Sequence, residues 1–328
     1  MKQGDLAGIE LAASGGDRYL AHTHEVINQP AALVDYNLYS TDLALREAVG
    51  VQGGEAAEAS LLAFGARLGS AEFIALGEQA NRYPPELDTH DRFGRRIDLV
   101  RFHPAYHALM EASLGAGLHA APWRAPGSGA HVARAAKFFM MSQVEAGHCC
   151  PVTMTFAAVP ALRRQPDLAA LWEARITADG YDPRNVPADR KAALTIGMAM
   201  TEKQGGSDVR ANATRAFPVG REGPGQAYEL VGHKFFVSAP MCDAFLTLAQ
   251  TAHGLTCFLL PRWRPDGSKN AMQIQRLKRK MGNVSNASCE TELRGALAWM
   301  VGEEGRGVRT IIDMVAMTRF DCLVGSSG

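Results

Sequence analysis

The stretch Met198-Ala199-Met200-Thr201-Glu202-Lys203-Gln204-Gly205-Gly206-Ser207-Asp208 decides how this 328-residue chain reads. An apolar run ends in a threonine, and two glycines, a serine and an aspartate follow. Small residues in that order let backbone N–H groups converge on an anion, with the Ser207 hydroxyl beside them. Thr201 presents a second hydroxyl a few residues earlier. A pair so placed can hold a polar heterocycle at one end and a phosphate at the other. Taken alone, a Gly-Gly-Ser turn is more often a tight hairpin, so its surroundings must decide.

Downstream, Gly232-His233-Lys234-Phe235-Phe236-Val237-Ser238 sets an aromatic and a hydroxyl two residues apart, on one face of a strand. Phe236 can pack against a ring system and Ser238 can bond its edge; the plainer alternative is a core strand. Around it, from about Ala192 to Met300, short apolar or alternating runs are separated by Gly, Pro, Asn and Asp. Tyr228–Val231, Phe235–Ser238, Phe245–Gln250 and Thr256–Leu260 are such runs, and their spacing predicts an all-β unit. Upstream, from about Thr41 to Ile176, the apolar residues recur at helical spacing, as in Leu61, Phe64 and Leu68. Ser70 offers an N-cap before Phe73, and Pro104 suits a first helical position. After Gly305 a helix returns. Val308, Ile311, Ile312 and Val315 form its apolar stripe, and Val308, Ile312 and Val315 lead in line to Arg319, so Arg319 should be paired or face a cleft.

Lys+Arg and Asp+Glu number 34 each, and the zero net charge argues against a dedicated DNA-binding module. With 47% hydrophobic residues, disorder is excluded as the main state. The length suggests about two domains. Residues 1–16 show no signal-peptide pattern, and no run of about 18 uninterrupted apolar residues occurs, so no membrane span is expected. Cys149, Cys150, Cys242, Cys257, Cys289 and Cys322 form no CxxC pair; they read as reduced, mostly buried thiols of a cytoplasmic protein. His103 and His107 lack the Glu of a zinc-protease motif, so no metal is expected. Arg276, Lys278, Arg279 and Lys280 read as solvated strand ends. Gly302–Gly307 reads as a loop, since Glu303 and Glu304 would repel phosphate. Asp321 and Glu304 show no pairing that suggests acid–base work.

The two opening stretches, in this order, resemble the acyl-CoA dehydrogenase superfamily, with its Met-Thr-Glu-x-x-Gly-Gly-Ser-Asp-like and Gly-x-Lys-x-Trp-Ile-Thr motifs. Lys280-Met281-Gly282-Asn283-Val284-Ser285 and Val301–Gly307 are similar to two further family segments. Gln143–Gly147, Pro151–Ala158, Asn283–Glu290, Met317–Cys322, Asn28-Gln29-Pro30 and Asn81–Leu87 resemble more narrowly the alkylation-response, AidB-like branch. The likeness runs from about residue 22 to the end. It implies an α+β multidomain fold: an N-terminal all-α helical domain (1–190), a middle flavin-binding β-barrel (191–302) and the beginning of a C-terminal α-helical domain (303–328).

By position, the resemblance implies FAD. Thr201 would bond the pyrimidine side of the isoalloxazine. Ser207, with the Gly205 and Gly206 amides, would reach the pyrophosphate, and Ser238 would donate towards N5. Phe236 stands where Trp is usual and would pack on the ring, with Met198, Met200 and Val237 completing the site. The substrate class implied is an acyl-CoA thioester oxidised at a CH–CH bond. Its base is a Glu expected beyond residue 328, and Arg319 would lie by the active-site cleft. Double-stranded DNA, bound through that further part, and a homotetrameric parent are also implied. The chain then reads as a fragment, inactive by itself; the alternative role is a DNA-protecting flavoprotein with little turnover.

Overall fold

The computed structural model describes residues 26–328, so expectations for residues 1–25 lie outside it. Residues 26–33 hold no helix or strand and fall in a unit separate from Val34–Gly328. Within the latter, α1 (Leu43–Val51), α2 (Glu58–Leu68) and α3 (Ala71–Arg82) come first. Asp42 caps α1 by accepting from Leu45 N at 2.9 Å, and Ser70 caps α3 by accepting from Phe73 N at 3.2 Å.

A hairpin interrupts the helical region where helix alone was expected: β1 (Glu86–His90) pairs antiparallel with β2 (Arg96–Arg101). Its turn is local chemistry. The Asp91 carboxylate accepts from Phe93 N and Arg95 N, at 2.8 and 2.9 Å, and Gly94 takes a positive φ of 78°.

Helices then resume as α4 (Pro104–Gly115), α5 (Ala121–Arg124), α6 (Ala130–Val144), α7 (Cys149–Leu162) and α8 (Pro166–Ile176). Pro104 opens α4, where a missing N–H costs nothing. Gln165 is the N-cap of α8, and Asp167 lies in its first turn. α7 is apolar all round and buried on nearly every side, as a central helix must be. It joins two cores. Val152 packs with Leu61, Leu109 and Met140 of the preceding helices, whereas Met154 to Leu162 pack under the sheet with Phe245 and Phe258. No single helix among the described residues is long and apolar enough to cross a membrane.

The sheet comprises β3 (Ile196–Ala199), β4 (Arg215–Pro218), β5 (Ala227–Ser238), β6 (Ala244–Thr251), β7 (Gly254–Pro261), β8 (Met272–Leu277) and β9 (Ser288–Val301). Pairings β4–β5, β5–β9, β9–β7, β7–β6 and β6–β4 form a ring, so the sheet closes into a barrel. Closure leaves fewer open edges. β3 runs parallel to β6, and β8 lies along β9.

The chain ends in α9 (Gly307–Ser327), whose buried face takes in Ile311 of the expected stripe, with Val308 and Val315 packed against the core, but is turned away from Ile312 and Arg319. Thr310, Ile311, Met314, Thr318 and Asp321 face inward, while Ile312 is 46% exposed and Arg319 is exposed. The polar Asp321 sits inside because α6 and α7 supply partners, while the Thr318 hydroxyl donates to the Val315 carbonyl of its own helix at 3.0 Å. Arg134 Nη2 donates to Asp321 Oδ2 at 2.6 Å, its other amino group binds Oδ1, and the Thr153 hydroxyl also donates to Asp321.

Candidate functional site: a ledge on the outer face of the barrel

Where β3 ends, Thr201 pairs with Phe236 of β5 in an antiparallel bridge, and Phe235 N donates to the Thr201 carbonyl at 2.8 Å. The register of β5 against β9 slips between Lys234 and Val237. This bulge places two residues between inward-facing neighbours: Lys234 and Val237 are buried, while Phe236 is 40% exposed. Ser238, two residues on, shares the Phe236 face and is half-buried. Thr201, Phe236 and Ser238 therefore stand together on the outside of the barrel. Met198 and Met200 are half-buried beside them. Val237 is turned into the core and can offer only its backbone to the ledge.

The glycine stretch curls back over this ledge. Gly205 N donates to the Glu202 carbonyl at 3.1 Å, closing a tight turn, and a Cβ on Gly206 would stand 3.0 Å from Thr201 Cγ2. Ser207 follows, exposed, with no hydroxyl partner among the described residues. Closeness to Thr201 is thus one physical reason for glycine at 206.

Two residues from these stretches that were not assigned to the site hold it in shape. Glu202 and Lys234 are fully buried and paired at 2.9 Å; Lys234 Nζ also donates to the Leu248 carbonyl at 2.7 Å. Glu202 further accepts from Ala213 N, Thr214 N and the Thr214 and Gln204 side chains. Burial opposes the charge on Glu202, but Lys234 and these donors outweigh it and bring its carboxyl down to about 2. A Glu directly after Thr201, and a Lys at the inward position of an alternating strand, were the available signals.

A second polar centre ties the helices to the loop before β9. Glu145 Oε1 accepts from Gly147 N, Ser285 Oγ and Asn81 Nδ2; Oε2 accepts from His148 N and faces His148 Nδ1 at 2.8 Å. His148 Nε2 meets Ser113 Oγ at 2.8 Å. Burial works to raise Glu145, but the His148 ring and the amides bring it to about 2. Burial likewise works against a charged His148, but Cys149 and Glu145 override it and raise the ring to about 10. A depressed carboxylate contributes stability above its ordinary value, lost as pH falls from about 4.5 towards 2. A raised histidine contributes below its ordinary value, lost as pH rises from about 6.5 to 10. Urea midpoints measured from pH 3 to 9 are expected to peak between these limits, and Glu145→Gln should flatten the acid side.

Next to the ledge, Ser238 Oγ lies 3.2 Å from Ser288 Oγ, and Lys280 Nζ donates to the Asn283 and Asn286 carbonyls and to Ser288. The basic run here is not simply solvated. Lys278 pairs with Glu290 at 3.0 Å and lies 3.3 Å from the Phe235 ring centroid, while Arg276, more exposed, pairs with the same carboxylate. Arg319 stands on the exposed side of α9.

A helical region, a closed barrel and a ledge made from a Thr-Glu-x-x-Gly-Gly-Ser turn against an aromatic strand define a class, the acyl-CoA dehydrogenase fold. The family description "Adaptive response protein AidB N-terminal domain" matches residues 28–183, and "Acyl-CoA dehydrogenase, middle domain" matches residues 197–296. The AidB protein of Escherichia coli K12 is 51% identical over 93% of this chain, which spans 56% of that relative. The crystal structure of Caenorhabditis elegans ACDH-11 in complex with C11-CoA superposes with a TM-score of 0.81 at 28% identity, over 94% of this chain and 54% of that one. The Bacillus anthracis acyl-CoA dehydrogenase complexed with FAD has a TM-score of 0.54 at 18% identity, over 68% of this chain and 36% of that one, a likeness of fold. The chain belongs to the acyl-CoA dehydrogenase superfamily, in its AidB-like branch.

Proposed function

We propose that the ledge is one wall of an FAD site in an oxidoreductase acting on acyl-CoA thioesters. The observation that carries this reading is Phe236, 40% exposed on a barrel strand, with Thr201 bridged to it and Ser238 on the same face. A large aromatic in solvent beside hydroxyls suits a flat ring with a polar edge better than it suits a core strand. Thr201 would bond the pyrimidine edge, Phe236 would pack on the ring and Ser238 would donate towards N5. The Gly206 amide, with Ser207, would take the pyrophosphate, whereas the Gly205 amide, expected to share in this, is held by the Glu202 carbonyl. Bound FAD supplies the hydride acceptor for oxidation of a CH–CH bond. The protein's share in these residues is to bind, orient and hold a donor at that edge.

For the whole protein we place the activity in the DNA alkylation response, in the cytoplasm, in a homotetramer that contacts double-stranded DNA. The likeness to AidB, described as an adaptive response protein, supports this role. Salt-dependent duplex binding tests the DNA arm, and flavin reduction by acyl-CoA tests the enzymatic one.

The chain's visible spectrum with added FAD tests the ledge directly. Thr201→Ala and Ser207→Ala are each expected to weaken FAD binding by about 1–2 kcal/mol, or about 5- to 30-fold, by removing a partner from a polar group. Unchanged FAD titrations in both variants would overturn the assignment.

A further inference from the structure

A pocket of about 270 Å³ opens between α4, the β2 strand, the Tyr181–Pro183 segment and the turn between β5 and β6. By volume it holds about nine waters, too small for a nucleotide but right for a fragment-sized molecule. Phe102, Tyr106, Met110, Tyr181, Met241 and Cys242 line it. Ala239 and Pro151 also face it, each one residue beyond Ser238 and Cys150 on the ledge side.

Two observations narrow what the pocket takes. The first is charge. Every ionic side chain on its wall is already paired: Lys191 with Asp243 at 2.7 Å, Asp182 with Arg184 at 2.6 Å, and Arg101 with Asp88 at 3.2 Å. His107 is hydrogen-bonded to Tyr181 at 2.9 Å, and burial lowers its proton affinity, so it adds no charge either. A carboxylate or phosphate entering here would lose its water and gain no free counter-charge. The second is Tyr106. Its residue is only 4% exposed and its ring is fixed by stacking on Phe102 at 4.1 Å, on the wall of the pocket. A tyrosine held in this way can offer its hydroxyl for one hydrogen bond to whatever fills the pocket.

We propose that this pocket binds a small, neutral, mainly apolar planar molecule with one hydrogen-bonding group, taken by the Tyr106 hydroxyl, as a site separate from the flavin ledge. The aromatic rings and the two thioethers supply a cage for the flat body. This assignment stands on the pocket alone and does not depend on flavin binding at the ledge.

Indole, neutral and carrying a single N–H, serves as the probe, with benzoate as its charged counterpart. Calorimetry and saturation-transfer NMR on the 328-residue chain, with and without FAD, are expected to show indole bound in both states and benzoate not bound. Tyr106→Phe should weaken indole about 2- to 10-fold while keeping the packing. Leu99→Trp, at a half-buried wall position, should abolish binding with the thermal midpoint retained; if that variant does not fold, Tyr106→Phe decides. The proposal is overturned if indole does not bind at millimolar concentration, if benzoate binds as well as indole, or if Tyr106→Phe leaves indole affinity unchanged. Displacement of indole by FAD or by an acyl-CoA would also overturn it, by assigning the pocket to the ledge site.

Discussion

Asp321→Ala is expected to destabilise the chain by about 3–5 kcal/mol, read as a fall in the urea midpoint. The substitution leaves Arg134 as an uncompensated charge in the interior, and such losses are of that size. Arg134 and Asp321 are almost wholly buried, and the guanidinium also lies 3.7 Å from the Phe156 ring centroid and donates to the Leu118 carbonyl. The pair joins α6 to α9, 187 residues apart in sequence. Removing both charges together should behave differently. Arg134→Met with Asp321→Leu leaves no stranded ion, so the double variant should recover most of the loss. The exposed pair Arg163–Glu173, with an arginine side chain 48% accessible, sets the contrast: Glu173→Ala should cost under about 1 kcal/mol. An Asp321→Ala midpoint within error of wild type would show that the pair carries no such weight.

The second large effect belongs to the barrel. Lys234→Met strands the Glu202 carboxylate in the core, at a cost again of about 3–5 kcal/mol. Here the loss reaches the ledge. Glu202 holds Ala213 N and Thr214 N, and its carbonyl closes the turn to Gly205, so its displacement frees the loop bearing Gly205, Gly206 and Ser207. At temperatures where the variant remains folded by circular dichroism, FAD affinity is expected to fall as well. Loss of stability with FAD affinity untouched would confine the pair to a structural role and separate the loop from the flavin reading.

Much of this architecture was legible from local pattern. The spacing of Leu61, Phe64 and Leu68, the Ser70 cap and Pro104 reflect forces that act within a few residues, and the helices form where those forces point. The β region was legible for the same reason, although Tyr228–Val231 and Phe235–Ser238 turn out to be parts of one strand, β5. The hairpin at Glu86–Arg101 was not. Glu86-Leu87-Asp88-Thr89-His90 carries a single apolar residue, Leu87, and its pairing with β2 is what makes it a strand.

The ledge divides along the same line. Thr201, Gly205, Gly206, Ser207, Phe236 and Ser238 stand out as residue types, because glycine, hydroxyl and aromatic chemistry is carried by each residue wherever it lies. That Thr201 meets Phe236 depends on β3 and β5 converging, and the outward turn of Phe236 depends on a bulge set by register against β9. α9 shows the other limit. Its apolar residues occupy more than one side: periodicity alone gave Val308, Ile311, Ile312 and Val315 as the apolar stripe, with Arg319 in line with part of it. The folded chain buries Ile311 together with Met314, Thr318 and Asp321 and leaves Ile312 and Arg319 outside, since Arg134 and Thr153 stand ready to satisfy a carboxylate there. Helix type, strand type and the chemistry of single side chains follow from short-range sterics and hydrogen bonding, and the order of residues states them. Which polar group is paired inside, which face is covered and which strand bulges depend on partners far away in the chain, and only the packed fold brings those together.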